Sequence, residues 1–545
     1  MRRSAITFLS LVGLIIGTQV SRATVLSPEL SLETLVSNAD LICKVEMISS
    51  KPDKEHVNSE RGFEMVETEL KVISVFKGSA PAETITLRHY AATEKHPSVS
   101  FSTEPPCYEF KAGRAYIIFA RETDAAGVYL GSLEAHQKKK DQGLLLAADK
   151  KPHAGKTVNE VFWTELTGLL KSKDADDVVY AIRQLDAMSG GGWFNLKDFP
   201  RKQVLEAVQP LIRSGNPAIA EEAIEVLGCN NPYMEQGHAP FWLAGIGHGY
   251  IPGLVPWDPS KEYPGGKLFW KELAAVADKD SPVKIRALAI RAMGRCCEPE
   301  ILELARRWVK SPQPEIREAA VLLLADFPDK VGEDELRVLA RDESARVRKS
   351  AALTIGFGQF VRLVPTLGKM LSDPDPDVVA AAALSLVSFS PDQNREVLKA
   401  NLDHPQFKSV FVNALAREDA GPYLKQLGEA IRNGWLPEHC WWSPSDPSSL
   451  SWEILLRHVQ NLPAETLKEG KSDACLDALE YPVKAGSKKH GYYGCSPSYL
   501  YALYVARGLK ERAEKYRDAC EDVSTHDIGK IFDHVEKSPS AYLLH

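Results

Sequence analysis

One spacing governs the middle of this 545-residue chain: Ile285, Ile316, Val347 and Val378 stand 31 residues apart. Four positions after each comes alanine, at Ala289, Ala320, Ala351 and Ala382, and eight positions after comes a large apolar residue, at Met293, Leu324, Ile355 and Leu386. An earlier copy begins at Ile219, with Ala223 and Leu227. Positions 0, +4 and +8 lie on one face of a helix. An alanine between two large anchors lets a neighbouring helix come close at the middle. A second column precedes these helices: Ala305, Leu336, Leu367 and Leu398, then Val309, Ala340, Leu371 and Leu402. Each unit is therefore expected to be a pair of antiparallel helices, and a fixed period of this size predicts a solenoid. Asp280, Ser311, Asp342 and Asp373 sit five positions before the anchors, beside Pro282, Pro312, Pro314, Pro374 and Pro376. They are expected to supply an N-cap oxygen followed by a proline that needs no amide partner.

Arg286, Arg317 and Arg348 form a further column that ends at Val379. It could be a basic stripe for a ligand; the expectation is that these arginines pair with acids near the turns of adjacent repeats. "DSPVKIRALAI", "PQPEIREAAVLLL" and "ESARVRKSAALTIG" carry a resemblance to HEAT repeats of the short, phycobilisome-lyase-like class. The resemblance covers roughly residues 160–420 within a solenoid expected over 155–430, and it implies a scaffold but no chemistry.

Ahead of the solenoid, residues 28–140 read as a β module. "LICKVEMIS" (41–49), "MVETELKVISVFKG" (65–78), "TITLRHY" (84–90), "AYIIFARE" (115–122) and "VYLGSLE" (128–134) are rich in strand formers. Turn signals at Lys77-Gly78, Gly113 and Asp124–Gly127 separate them, as in a small barrel or sandwich. The order of features, with "NAD", then "VFKG", then a cysteine ahead of "FKAGRAYIIFA", resembles the netrin/TIMP-like branch of the OB-type barrels. In TIMP-type inhibitors a cysteine at the mature N-terminus chelates the protease metal. Here the expected first residue is Thr24, so that activity does not carry over and inhibition of a protease stays a minor alternative.

The rhythm breaks at residues 231–266, where six prolines and seven glycines exclude a helix pair and predict a loop inserted in the solenoid. Tyr233, Trp242, Tyr250 and Trp257 make it a candidate binding surface for a protein or glycan; the alternative is that they cover apolar solenoid surface. His238 and His248 lie in the same loop, but a metal needs three or four converging ligands and this pair supplies two. No cofactor is expected. "SGGGWFNLKDFP" (189–200) is a smaller interruption.

Residues 435–545 lose the register and read as a C-terminal helical region. "WEILLRHVQNL", "DACLDALEY" and "SPSYLYALYVARGLKERAEKYRDACEDV" are its helices, the last resembling a TPR-type helix-turn-helix with Gly508 at the turn.

Arg2 and Arg3, an apolar stretch from Ala5 to Gly17, and Ser21 and Ala23 read as a signal peptide over residues 1–23. Export to the periplasm or outside the cell is the expectation, with no membrane span in the mature chain. Loss of Arg2, Arg3 and Arg22 moves the formal charge from −7 to −10, which argues against a nucleic-acid partner. An oxidising compartment makes disulfides an expectation for the nine cysteines. Candidates are Cys43 with Cys107, for which two buried free thiols are the alternative, Cys229 with Cys296 or Cys297, and pairs among Cys440, Cys475, Cys495 and Cys520; the odd number leaves at least one thiol unpaired. No nucleophile elbow, P-loop, dinucleotide fingerprint or HExxH is present. The leading reading is a non-catalytic exported scaffold binding a protein or glycan. The alternative is an enzyme or metal-dependent binder built on His238 and His248.

Overall fold

The computed structural model describes residues 32–58, 63–80, 82–92, 108, 110–131, 144–153, 157–189, 198–228, 264–279, 281–294, 296, 298–327, 329–416, 419–432, 447–468, 473–485 and 497–517. They fall into two compact units: one runs to Gly228 and includes Pro264–Ala292, and the other takes the described residues from Met293 onward.

The described residues of the first unit begin with a short helix, α1 (Leu32–Asn38), and six strands: β1 (Leu41–Asn58), β2 (Phe63–Lys77), β3 (Thr84–Ala92), β4 (Ala115–Glu122), β5 (Val128–Gly131) and β6 (Leu144–Leu146). The sheet order is β1-β2-β3-β5-β4-β6, and β1 also pairs with β4, so five strands close a barrel and β6 adds to β4. β3 and β5 run parallel and the other pairs antiparallel. This is the five-stranded arrangement of the OB class. Alternate residues point inward, and Leu41, Cys43, Val45, Leu70, Ile85, Leu87, Tyr116 and Ile118 fill the barrel. Gly78 ends β2 at φ +76°, and a Cβ there would lie 2.3 Å from the Asp40 carbonyl oxygen, so glycine is required for this turn.

Among its described residues this unit has six further α-helices: α2 (Val158–Leu169), α3 (Ala175–Ala187), α4 (Arg201–Val208), α5 (Pro217–Leu227), α6 (Pro264–Ala277) and α7 (Val283–Ala292). α2 starts on a capping box, with Thr157 and Glu160 each satisfying the other's backbone amide. α6 begins at Pro264, inside the stretch expected to be loop, and is kinked at Phe269.

The second unit is helical throughout its described residues. Its repeats pair α8 (Pro299–Trp308) with α9 (Pro314–Leu324), α10 (Glu333–Leu339) with α11 (Ala345–Phe357), α12 (Val364–Met370) with α13 (Pro376–Val387), and α14 (Pro391–Ala400) with α15 (Lys408–Ala416). Second helices stack in a row, α9 on α11 and α11 on α13. The alanine column is wholly buried in that row, as is each flanking anchor from Ile316 to Leu386. Thr354 Oγ1 of α11 donates to Val321 O of α9 at 3.0 Å across the repeat boundary. α16 (Leu424–Arg432), α17 (Pro447–Asn461), α18 (Ala464–Lys468), α19 (Asp473–Ala485), α20 (Pro497–Ala506) and α21 (Lys510–Arg517) follow. They share a core around Trp452, Leu455, Leu479, Leu500 and Tyr504. Gly508 joins α20 to α21 at φ +68°, a conformation that favours glycine. No helix of the described residues is long and apolar enough to cross a membrane.

One expectation needs correction. Asp342 and Asp373, five positions before their anchors, are not the N-caps, and Asp280 lies outside the described residues. Asp375, three before Val378, caps α13 by accepting from the Asp377 and Val378 amides. Asp373 and Asp342 instead accept from the amide two residues on, at Asp375 (3.0 Å) and Ser344 (2.8 Å). That Asx turn leaves their second oxygen free to meet a side chain from the preceding repeat.

Candidate interaction surface

That side chain is the arginine. Arg317 forks onto Asp342, Nε to Oδ2 at 3.0 Å and Nη2 to Oδ1 at 2.8 Å, while Nη1 donates to the Ser311 and Pro312 carbonyls. Arg348 repeats this on Asp373 at 2.8 Å for both contacts, with Nη1 on the Asp342 and Glu343 carbonyls. Bidentate, charge-assisted pairing of this kind fixes geometry as well as adding attraction. The Arg348 guanidinium lowers the Asp373 carboxyl below its ordinary range, and hydrogen bonding to Asp342 and Asp373 raises the two arginines. Arg317 and Arg348 are thus engaged in register between repeats, as expected of structural pairing.

The column's ends follow the same chemistry. The position that would receive Arg286 is Ser311, which offers no carboxylate, and Arg286 donates to its own Ala277 carbonyl at 2.7 Å. The position that would receive residue 379 is His404, and residue 379 is valine. His404 Nδ1 accepts from the Gln406 and Phe407 amides at 3.3 Å, and Nε2 faces the Leu371 carbonyl at 3.4 Å. One imidazole thereby accepts from its own turn, as the aspartates do, and meets a carbonyl of the preceding repeat.

A second ladder lies on the open side of the stacked helices. Arg346 reaches Glu318 at 3.1 Å and Glu315 at 3.6 Å, and Lys349 reaches Asp377 at 3.1 Å. In the first unit Glu221 likewise meets Lys284, and Arg183 meets Glu222 at 2.6 Å. Beside these pairs Leu322 and Leu353, one period apart, are half-buried, whereas the equivalent Leu384 is buried. The open face of α9 and α11 therefore presents leucines edged by charges that already neutralise one another. This leucine column is a further 31-residue recurrence in the sequence, but leucine alone points to the core and does not signal an open face.

The aromatic candidates Tyr233, Trp242, Tyr250 and Trp257 and the histidines His238 and His248 lie outside the described residues. Among the described residues no group of three or more His, Cys, Asp or Glu is placed to hold a metal. Cys43 and Cys475 are free thiols, so the candidate bridges through them are not formed and Cys43 follows its alternative as a buried thiol. The inward place of Cys43 explains its state: it fills the barrel core, and burial pushes the thiol up to about 12. Cys296 is buried, with Sγ 3.9 Å from the Gly294 carbonyl oxygen. Cys107, Cys229, Cys297, Cys440, Cys495 and Cys520 lie outside the described residues.

Two buried polar clusters went unread in the sequence. Inside the barrel, Thr68 Oγ1 and His89 Nε2 lie 2.8 Å apart, exposed Ser50 Oγ joins Thr68 from the surface at 2.8 Å, and His89 Nδ1 lies 3.0 Å from the Tyr90 carbonyl. The carbonyl can only accept, so Nδ1 carries the proton, Thr68 donates to Nε2 and Ser50 donates to Thr68. Burial between Tyr108 and Phe110 lowers His89 to about 4. In the C-terminal core, buried Glu480 accepts from Tyr504 at 3.0 Å and Arg512 at 2.7 Å. Burial first, and the Glu480 carboxylate second, push the Tyr504 and Tyr516 phenols up.

Comparison with known proteins identifies the central repeats. The family described as HEAT repeats matches residues 271–352 and 333–416, so this stretch consists of HEAT repeats. No curated protein matches the chain. Among solved structures, yeast importin-beta (Kap95p) is similar at 12% identity over 69% of this chain and 51% of that one, with a TM-score of 0.44. The Escherichia coli protein YibA is similar at 14% identity over 55% of this chain and 94% of that one, with a TM-score of 0.32. An engineered protein is similar at 16% identity over 69% and 98%, with a TM-score of 0.30. The chain spans about half the length of the importin-beta chains it matches.

Proposed function

We propose that this protein is a non-catalytic scaffold that binds another protein along the open face of its HEAT repeats, and that it works outside the cytoplasm. The observation that carries the reading is the half-buried Leu322–Leu353 row beside ion pairs that are already satisfied. Such a surface offers apolar contact with little net charge. It suits a helical or extended segment that lays apolar side chains along the row. The aromatic loop at 231–266, through Tyr233, Trp242, Tyr250 and Trp257, is proposed as a second contact, to the same protein or to a glycan on it. Export rests on the charged, apolar and small-residue order of residues 1–23. The netrin-like kinship of the barrel rests on its sequence features, with the OB-type strand order in support.

The test is affinity capture from the extracytoplasmic fraction with the wild-type chain and a Leu322→Glu/Leu353→Glu variant. The variant should lose the partners that wild type retains. Equal recovery by a variant with native circular dichroism and melting would sink the binding surface. Export is checked separately by the mass of the mature protein, expected to begin at Thr24; an intact Met1 on the native protein would overturn it.

A further inference from the structure

The outer face of the barrel is not uniform. On β2 and β3 the outward residues Glu69, Lys71 and Thr84 are exposed, as expected of a barrel in water. On β1, β4 and β6 the outward residues Ile42, Lys44, Ile117, Phe119 and Leu145 are at most 1% exposed. β4 in particular is buried on both faces from Ala115 to Ala120. What covers this side is the first helix pair. Phe119 meets Phe162 of α2 edge to face, with ring centroids 5.7 Å apart. A Cβ on Gly168 of α2 would lie 2.8 Å from the Ala148 methyl, so a larger residue would have no room there.

Polar contacts fix the docking. Lys44 Nζ donates to Glu165 Oε1 of α2 at 2.7 Å and to Asp149 Oδ1 at 3.0 Å. The other Glu165 oxygen accepts from the Ala148 amide at 2.7 Å. On α3, the Tyr180 hydroxyl accepts from the Leu146 amide at 3.2 Å, and Asp177 pairs with Arg114. The opposite side of α3 packs on α5.

We infer that the barrel is the N-terminal cap of the helical stack, locked to α2 and α3 as one cooperative body, and not a separately moving module. The first pair of a solenoid has no preceding pair to cover its outer apolar flank, and terminal units with a polar outer surface are needed to close the stack. Here the barrel supplies that cover with β1, β4 and β6 and turns its polar β2–β3 side outward. The buried lysine sets the docking register, because an apolar joint alone would tolerate sliding while Lys44 reaches Glu165 in one seating. Two consequences follow. The end of the stack is closed to a second copy of the chain, and whatever the β2–β3 side contacts is held at a fixed place relative to the first repeats.

Native-state hydrogen exchange on the full-length chain tests this. Amides of β4 and of α2–α3 should open with one shared protection factor. In a Lys44→Met variant both segments should lose protection together by about tenfold or more, with α11 and α13 unchanged. A Lys44→Met/Glu165→Leu variant, which leaves no unpaired Glu165 charge, should recover part of the loss. Barrel amides that keep their wild-type protection while α2–α3 lose theirs would overturn the inference. So would wild-type protection that differs by about tenfold or more between the two segments, a measurement that does not depend on any variant folding.

Discussion

Arg348 and Asp373 stand 25 residues apart in sequence and meet through two parallel hydrogen bonds of 2.8 Å, each residue already tied to the backbone of its own turn. The pair therefore sets how one turn sits on the next. Removing the arginine leaves a largely buried carboxylate with only an amide for company. Arg348→Ala is expected to destabilise the second unit by about 2–3 kcal/mol, read as a shift in the urea midpoint. A Lys at this position should recover little, because an ammonium cannot fork onto both oxygens. Full stability of Arg348→Lys would show that the charge matters and the geometry does not.

The missing rung can be built. Val379 and His404 occupy the arginine and aspartate positions of the next register. Val379→Arg alone buries an unpaired guanidinium, and His404→Asp alone places a carboxylate without its cation. Together they should form the pair, giving a favourable coupling of about 1 kcal/mol in a double-mutant cycle. A coupling of zero would mean that α15 does not stack on α13 in the register that α11 and α13 share.

His89 is 2% exposed and neutral, with its tautomer set by the Tyr90 carbonyl on one side and Thr68 on the other. Its folded pKa of about 4 lies below the ordinary 6.5. Between these values the unfolded chain binds a proton that the folded barrel refuses, so stability falls as pH drops from about 6.5 to about 4 and this contribution levels off below. The contribution is about 3 kcal/mol across the window. His89→Gln keeps a polar side chain beside Thr68 but cannot titrate. Its stability should be lower at pH 7 yet flatter across the window, measured by denaturant titration at several pH values. An unchanged slope would show that His89 is not the group responsible.

What the sequence conveyed and what it withheld follow from range. The repeats were legible because Ile285, Ile316, Val347 and Val378 keep one spacing, and a spacing survives substitution of every residue between. The barrel was legible from strands such as "TITLRHY", but β6 is three residues long and gave no alternation to read. The aspartates at −5 were read as caps because capping is a local rule, whereas their partners lie 25 residues away. Lys44 looked like an ordinary strand lysine, because only the tertiary docking of α2 brings Glu165 to it. The run "AYIIFA" did carry a signal: six apolar residues without alternation mark a strand covered on both sides, as β4 is. The candidates in the 231–266 loop had composition but no periodicity behind them, and they lie outside the described residues.

The C-terminal region is held by one carboxylate more than by any repeat. Glu480 is 1% exposed and binds Tyr504 of α20 and Arg512 of α21, and the neighbouring Leu479 carbonyl accepts from Trp452 Nε1 of α17 at 2.8 Å. Three helices thus converge on two consecutive residues of α19. Glu480→Gln keeps the shape and one acceptor but removes the nearer of the two charges that Arg512 faces, the other being Asp477 at 3.7 Å. The expected cost is about 2–3 kcal/mol, confined to this region. Limited proteolysis should then cut the variant within residues 473–517 while the HEAT repeats stay intact. Glu480→Leu should do worse than Gln, because the Tyr504 hydroxyl would lose its buried acceptor. Equal protease resistance of Leu, Gln and wild type would show that apolar packing around Trp452 and Leu500 suffices without the cluster.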